Sequence, residues 1–111
     1  EVANVGLTEA QAKEKGYNAR GDSVLFRTLG KAQVIGEIAG QAKIVSDAES
    51  GKVLGVHIIG PHATDLIAEG TLAVQMGCTV KDLAETIHAH PTLAEIMLEA
   101  SLKGLDRSLH G

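Results

Sequence analysis

Aromatic residues are almost missing: Tyr17 and Phe26 are the only two, and there is no tryptophan. Stacking platforms for bases or sugars are thereby excluded. Cysteine is just as scarce, since Cys78 stands alone; no internal disulfide can form, and a reducing compartment is expected. No cluster of Lys or Arg occurs, and ten basic against fourteen acidic residues leave a net charge of -4. Nucleic acid is not an expected partner. The unbroken apolar runs are too short to cross a bilayer, so no membrane association is expected either.

What is present is ample apolar material. Hydrophobic residues make up 44% of the 111-residue chain. That suits a single domain over 1–111, burying roughly two thirds of its unfolded surface. The chain opens at Glu1 without Met and runs straight into an apolar segment, which reads as a piece of something longer.

Val2 to Gly6 reads as a short strand. Thr8 to Gln11 fits a capping box, opening a helix that Gly16 should stop. Tyr17 to Leu29 is ambiguous, with Ser23 to Phe26 its most strand-like part. Gln41 to Ser46 and Lys52 to Ile59 flank a turn-rich loop ending in Gly51, the pattern of a hairpin. Gly60-Pro61 closes the second strand. From Ala63 to Met76 a helical period puts Leu66, Ile67, Gly70, Ala73 and Val74 on one face, before a stop at Gly77. Thr79 to Asp82 caps a short helix reaching about Glu85, and Thr86 to Pro91 is a loop or short strand. Thr92 to Glu95 is a third capping box, opening a last helix to about Gly104, and 106–111 should fray. The fold class expected is α+β, an antiparallel sheet with helices packed against it.

Five histidines invite a search for chemistry. A metal site is not expected, because it needs supported ligands and no set of Cys partners exists. His88 and His90 would share a face only if their segment is extended. His57 reads as a core or edge histidine, His62 as a residue that helps to start a helix, and His110 as uninformative. Cys78 precedes a helix start, a setting that lowers a thiol's pKa, but it reads as an inert small residue. Gly36 to Gly40 lacks the spacing and helix start of a phosphate cradle.

His90 and Glu95 are a different matter. Pro91 disfavours the helical conformation at His90 and holds it just outside the last helix. With Thr92 as N-cap, Glu95 falls at N3, and helical side chains point back towards the N-terminus. A carboxylate bonded to one ring nitrogen fixes the imidazole tautomer and frees the other nitrogen to exchange a proton. Spacing alone leaves the plain alternative open, in which Glu95 completes a capping box and His90 is an ordinary loop residue. The last helix also carries two apolar stripes: Leu93, Ile96, Met97, Ala100 and Gly104, then Leu98, Leu102, Leu105 and Leu109, with Glu95, Glu99 and Asp106 between them. Two stripes suggest cover on both sides, by the chain's own sheet and by an interface, the alternative being a helix buried centrally in one domain.

Three segments carry a resemblance. Ile87 to Glu95 (IHAHPTLAE) is similar to the C-terminal signature of the dihydrolipoyl dehydrogenase branch of the pyridine nucleotide-disulfide oxidoreductases, a family of flavoprotein disulfide reductases. Glu1 to Glu9 resembles the opening of their C-terminal dimerisation domain, and Leu54 to Ala63 its central strand and following turn. Leu29 and Lys31 depart from the usual pattern. The resemblance implies a fragment: the FAD, NAD and central domains and the redox cysteine pair are absent, and an edge of the first strand is cut.

It also implies an enzyme oxidising dihydrolipoyl groups through FAD and reducing NAD, located in the cytoplasm or, in a eukaryote, the mitochondrial matrix. His90 would be the acid/base and Glu95 its orienting carboxylate. His90-Pro91 would be cis and would meet the flavin of the partner subunit of a homodimer. A lipoyl-bearing acyltransferase of 2-oxo acid dehydrogenase complexes would be a further partner. No FAD or NAD is expected on the isolated chain, which should be inactive. Two alternatives stand: another member such as a glutathione reductase, or a non-catalytic dimerisation or docking module.

Overall fold

The computed structural model describes residues 1–31 and 39–105. Gly36, Asp106, Leu109 and His110, and with them the expected fraying of the tail, lie outside the described residues. The elements are β1 (Val2–Gly6), α1 (Glu9–Glu14), β2 (Ala19–Leu25), a 3-10 turn (Phe26–Thr28), β3 (Gln41–Asp47), β4 (Val53–Ile59), α2 (Ala63–Met76), α3 (Val80–Ala84) and α4 (Glu95–Gly104). The four strands pair antiparallel in the order β1-β4-β3-β2. This is the α+β architecture expected.

Alternation sorts the sheet into two faces. Ala3 and Val5, Val56 and Ile58, Ala42 and Ile44, and Val24 fall on one face through their register partners. All but the half-buried Val5 are buried in the main core. Helix α2 covers β1 and β4 on this side, and α4 covers β2 and β3. On the opposite face α1 seats Ala12 against Val45 and Leu54. Val2, Leu25 and Ile59 on that face remain exposed.

Local chemistry sets most element ends. Thr8 forms the expected box: its hydroxyl accepts from the Gln11 N–H at 3.1 Å, and the Gln11 side chain accepts from the Thr8 N–H at 3.0 Å. Thr79 and Asp82 repeat the device at 3.1 and 2.9 Å. In the β3–β4 loop Gly51 takes φ +79°, and Asp47 accepts from the Glu49 N–H and the Ser50 hydroxyl. β2 is longer than the strand-like run in the sequence and stops one residue before Phe26, which is fully buried in the 3-10 turn. Leu29 is buried too.

His62 helps to start α2 through its backbone, its carbonyl accepting from the Asp65 and Leu66 N–H groups. His62 occupies the N-cap of α2 at φ +59°, but its side chain makes no capping bond. The Glu1 carboxylate does that work, accepting from the Thr64 N–H at 3.1 Å and its hydroxyl at 2.7 Å. These bonds hold the Glu1 carboxyl below its ordinary pKa. On α4 Glu99, between the two apolar stripes, is fully buried, as is Ser101, whose hydroxyl donates to the Met97 carbonyl at 2.6 Å. Leu98, Leu102 and Leu105 are half-buried, and Leu105 packs on the main core.

Gly70 lets α2 close onto β4. A Cβ there would lie 2.9–3.0 Å from the branched side chain of Val56, inside any real contact distance. Helix propensity alone would favour Ala over Gly by about 1 kcal/mol. Overpacking outweighs that gain, so Gly70→Ala should lower stability by roughly 1–3 kcal/mol, read as a lower urea midpoint. A midpoint at or above wild type would show that α2 can back away freely.

α1 is tied to the sheet by Glu9, 2.8 Å from Lys43 of β3. The Lys43 hydrogen bond, then its charge, holds the Glu9 carboxyl below its ordinary pKa. A lowered folded pKa contributes stability above the ordinary carboxylate range, lost as pH falls through the folded value. Glu9→Gln should therefore cost less than ~1 kcal/mol at neutral pH and nothing in strong acid. An equal difference at both pH values would assign the effect to something other than this pair.

Candidate active site

Between α3 and α4 the chain runs through Thr86 to Pro91 as a loop, with a cis His90–Pro91 peptide. A tight turn follows, in which the N–H groups of Glu95, Ile96 and Met97 donate three residues back to Thr92, Leu93 and Ala94. This turn revises the expected cap. α4 begins at Glu95 with Ala94 at the N-cap, and the Thr92 hydroxyl donates to the Ala89 carbonyl at 2.6 Å instead of capping N3. Half of the box survives, because the Glu95 carboxylate accepts from the Thr92 N–H at 2.8 Å.

The same carboxylate meets His90. Nδ1 lies 3.0 and 2.9 Å from the two Glu95 oxygens. The Glu95 side chain is only 12% exposed and that of His90 is 74% exposed. An ionised carboxylate can only accept, so Nδ1 carries a proton and Nε2 is the atom left to exchange one with an outside group. Capping and orientation are thus two uses of one carboxylate, and the two readings of its spacing are not exclusive.

The other histidines are placed apart. His88 does not share a surface with His90: its side chain turns inward to Glu69 of α2, 2.7 Å away, and is 4% exposed. Sequence reasoning missed Glu69, for a residue nineteen positions upstream on another helix carries no local signal. His57 lies on interior strand β4, half-buried on the outer face, with Nε2 on the Leu7 carbonyl at 2.9 Å and Nδ1 at the same distance from Asn4 Oδ1. Cys78 is half-buried against the core, its carbonyl accepting from the Val53 N–H. Among the described residues no three His, Cys, Asp or Glu side chains are grouped to hold a metal ion.

Among the described residues, one cavity measures about 370 Å³ and another about 240 Å³. The first lies between the β3–β4 loop and the start of α3, lined by Arg20, Asp47 and Lys81 among others. The second is on the outer sheet face around Asn4, Lys43 and His57. Neither reaches His90, which stands on open surface.

Residues 1–101 match the family model described as pyridine nucleotide-disulphide oxidoreductase, dimerisation domain. The chain is 50% identical over 101 residues to the dihydrolipoyl dehydrogenase of Thermus scotoductus, covering 91% of this chain and 22% of that protein. It is 44% identical over 110 residues to that of Haloferax volcanii, covering 99% and 23%. Among solved structures, LpdA from Mycobacterium tuberculosis superimposes with a TM-score of 0.84 at 29% identity, over 92% of this chain and 22% of that one. The HOCl-induced flavoprotein disulfide reductase RclA from Escherichia coli gives 0.83 at 22% identity, a likeness of fold alone, over 90% and 23%. The chain spans less than a quarter of the length of each of these proteins.

If Glu95 supports the turn as well as the imidazole, Glu95→Ala should expose the Thr92 amide. Its hydrogen exchange should quicken about tenfold or more, the scale of losing one charge-assisted bond, while the Thr8 amide is unchanged. Equal protection of Thr92 in the variant would mean that the turn holds without the carboxylate.

Proposed function

The chain belongs to the pyridine nucleotide-disulphide oxidoreductase dimerisation-domain family, and from that premise we propose that it joins two subunits of a dihydrolipoyl dehydrogenase and presents His90 to the partner's redox site. The observation that carries this reading is the His90–Glu95 pair, an exposed imidazole on a nearly buried carboxylate. The names of the similar relatives favour a dihydrolipoyl dithiol over glutathione disulfide as the substrate. A lipoyl-bearing acyltransferase of a 2-oxo acid dehydrogenase complex is the partner that chemistry would require.

FAD and NAD come with the family, and the residues around His90 fit the role of a wall to such a group rather than a cradle. Neither cavity reaches them, and the ring of His90 with Pro91 beside it stands outward. Bound by other parts of the enzyme, FAD supplies electron transfer between the dithiol and the nicotinamide. This chain's contribution is proton handling. Nε2 of His90 takes the dithiol proton, leaving a thiolate, while Nδ1–H stays on the Glu95 carboxylate. Glu95 remains ionised, held by the Thr92 N–H, and its charge stabilises the imidazolium as it forms.

Placing the histidine on the domain that meets the partner makes each site a product of two chains. The test uses full-length enzyme carrying this domain. His90→Gln should slow dihydrolipoamide oxidation by roughly 10²-fold, the scale of a lost general base. A heterodimer of one His90→Gln subunit and one subunit lacking its redox cysteines should recover about half the normal turnover, since one of two symmetry-related sites is then whole. With heterodimers demonstrated, no recovery would place His90 in its own subunit's site, and a fast His90→Gln homodimer would remove the acid/base role altogether.

A further inference from the structure

Two residues before His90 stands the histidine of a second histidine–carboxylate pair, one that proton exchange does not use. His88 Nε2 is 2.7 Å from Glu69 Oε2, and Nδ1 is 2.9 Å from the Thr86 carbonyl. A carbonyl can only accept, so Nδ1 carries a proton, and a second proton is shared between Nε2 and Glu69. With both ring nitrogens occupied and the side chain 4% exposed, His88 has no atom to offer a substrate. Its bonds run elsewhere: one to the backbone of its own loop, one to the middle of α2.

We propose that Glu69 and His88 are positioning residues, a clamp that fixes the Thr86–Pro91 loop on α2 and so sets where His90 stands. The proposal rests on the reading of His90 as the acid/base. A buried polar pair adds little stability over an apolar one of similar volume, because desolvation offsets its attraction. It differs in direction, since two hydrogen bonds hold one ring at one angle. His90 lies two residues beyond the clamp, and the residue between them is tied as well, the Ala89 carbonyl accepting from the Thr92 hydroxyl.

The loop is therefore pinned to α2 on one side and to the α4 turn on the other. From it the imidazole of His90 projects, as does the side chain of Ile87. Glu69 is held in turn by its neighbour Gly70, whose missing side chain seats α2 against Val56. A functional group on a loop is placed as well as the rigid elements that pin the loop allow.

The experiment is a mutant cycle in full-length enzyme carrying this domain, with dihydrolipoamide as substrate. Glu69→Ala should lower kcat about tenfold while KM stays within about twofold, as expected for an acid/base displaced by a fraction of an ångström. Glu69→Gln, whose amide N–H can donate to Nε2 of a neutral His88, should recover most of the loss. On a His90→Gln background, Glu69→Ala should add less than about twofold, because a clamp that acts through His90 has nothing left to place. Losses that multiply in the double variant would overturn the clamp, as would a Glu69→Gln enzyme as slow as Glu69→Ala. A slow His90→Gln enzyme beside a fast Glu69→Ala enzyme would also overturn it, with the acid/base role intact. A fast His90→Gln enzyme would remove both.

Discussion

The seat of α2 on β4 is the constraint from which the site is built. Gly70 meets Val56 with no room for a Cβ, so the helix has one depth on the sheet. Ala73 is buried on the same face, with Leu66, Ile67 and Val74 packed against the core. Because packing at this density is discrete rather than graded, side chains on the helix flanks inherit a fixed height. Glu69 is one of them, and its bond to His88 passes that height to a loop with no regular structure.

The site itself divides exposure from support. His90 is open to an approaching group, while its carboxylate is nearly withdrawn from water and held by a backbone N–H. Withdrawal strengthens the bond to Nδ1 and keeps the ring in one tautomer. The turn at Thr92 to Ala94 makes this possible. By tightening the start of α4 it frees the Thr92 hydroxyl for Ala89 and brings the Glu95 carboxylate back over the entry of the helix.

Much of this was legible in the sequence wherever a few neighbouring residues decide the outcome. The Thr8 and Thr79 boxes, the hairpin closed at Gly51, and the apolar face of α2 all follow from short-range patterns. So does the approach of Glu95 to His90, five residues apart. Features made across the chain were not legible. Glu1 caps α2 from sixty-three residues away, and the side chain of His62, the local candidate, does not. The pairing of His88 with Glu69 and the burial of Glu99 likewise depend on how helices lie over the sheet. Thr92 sits between these cases. Its motif was visible, but the competition between a full cap and a tighter turn is settled by what Ala89 and His90 require nearby.

Since His90 and Glu95 belong to one short stretch of one domain, they travel together. Suppose the domain shifts as a rigid body against whatever it faces. The reach of Nε2 would change with the shift, while the tautomer and the carboxylate contact behind it would not. Substitutions at the domain's outer contacts are therefore free to retune distance without disturbing the proposed proton chemistry. An acid/base whose two halves lay on opposite sides of such a boundary would have no such independence.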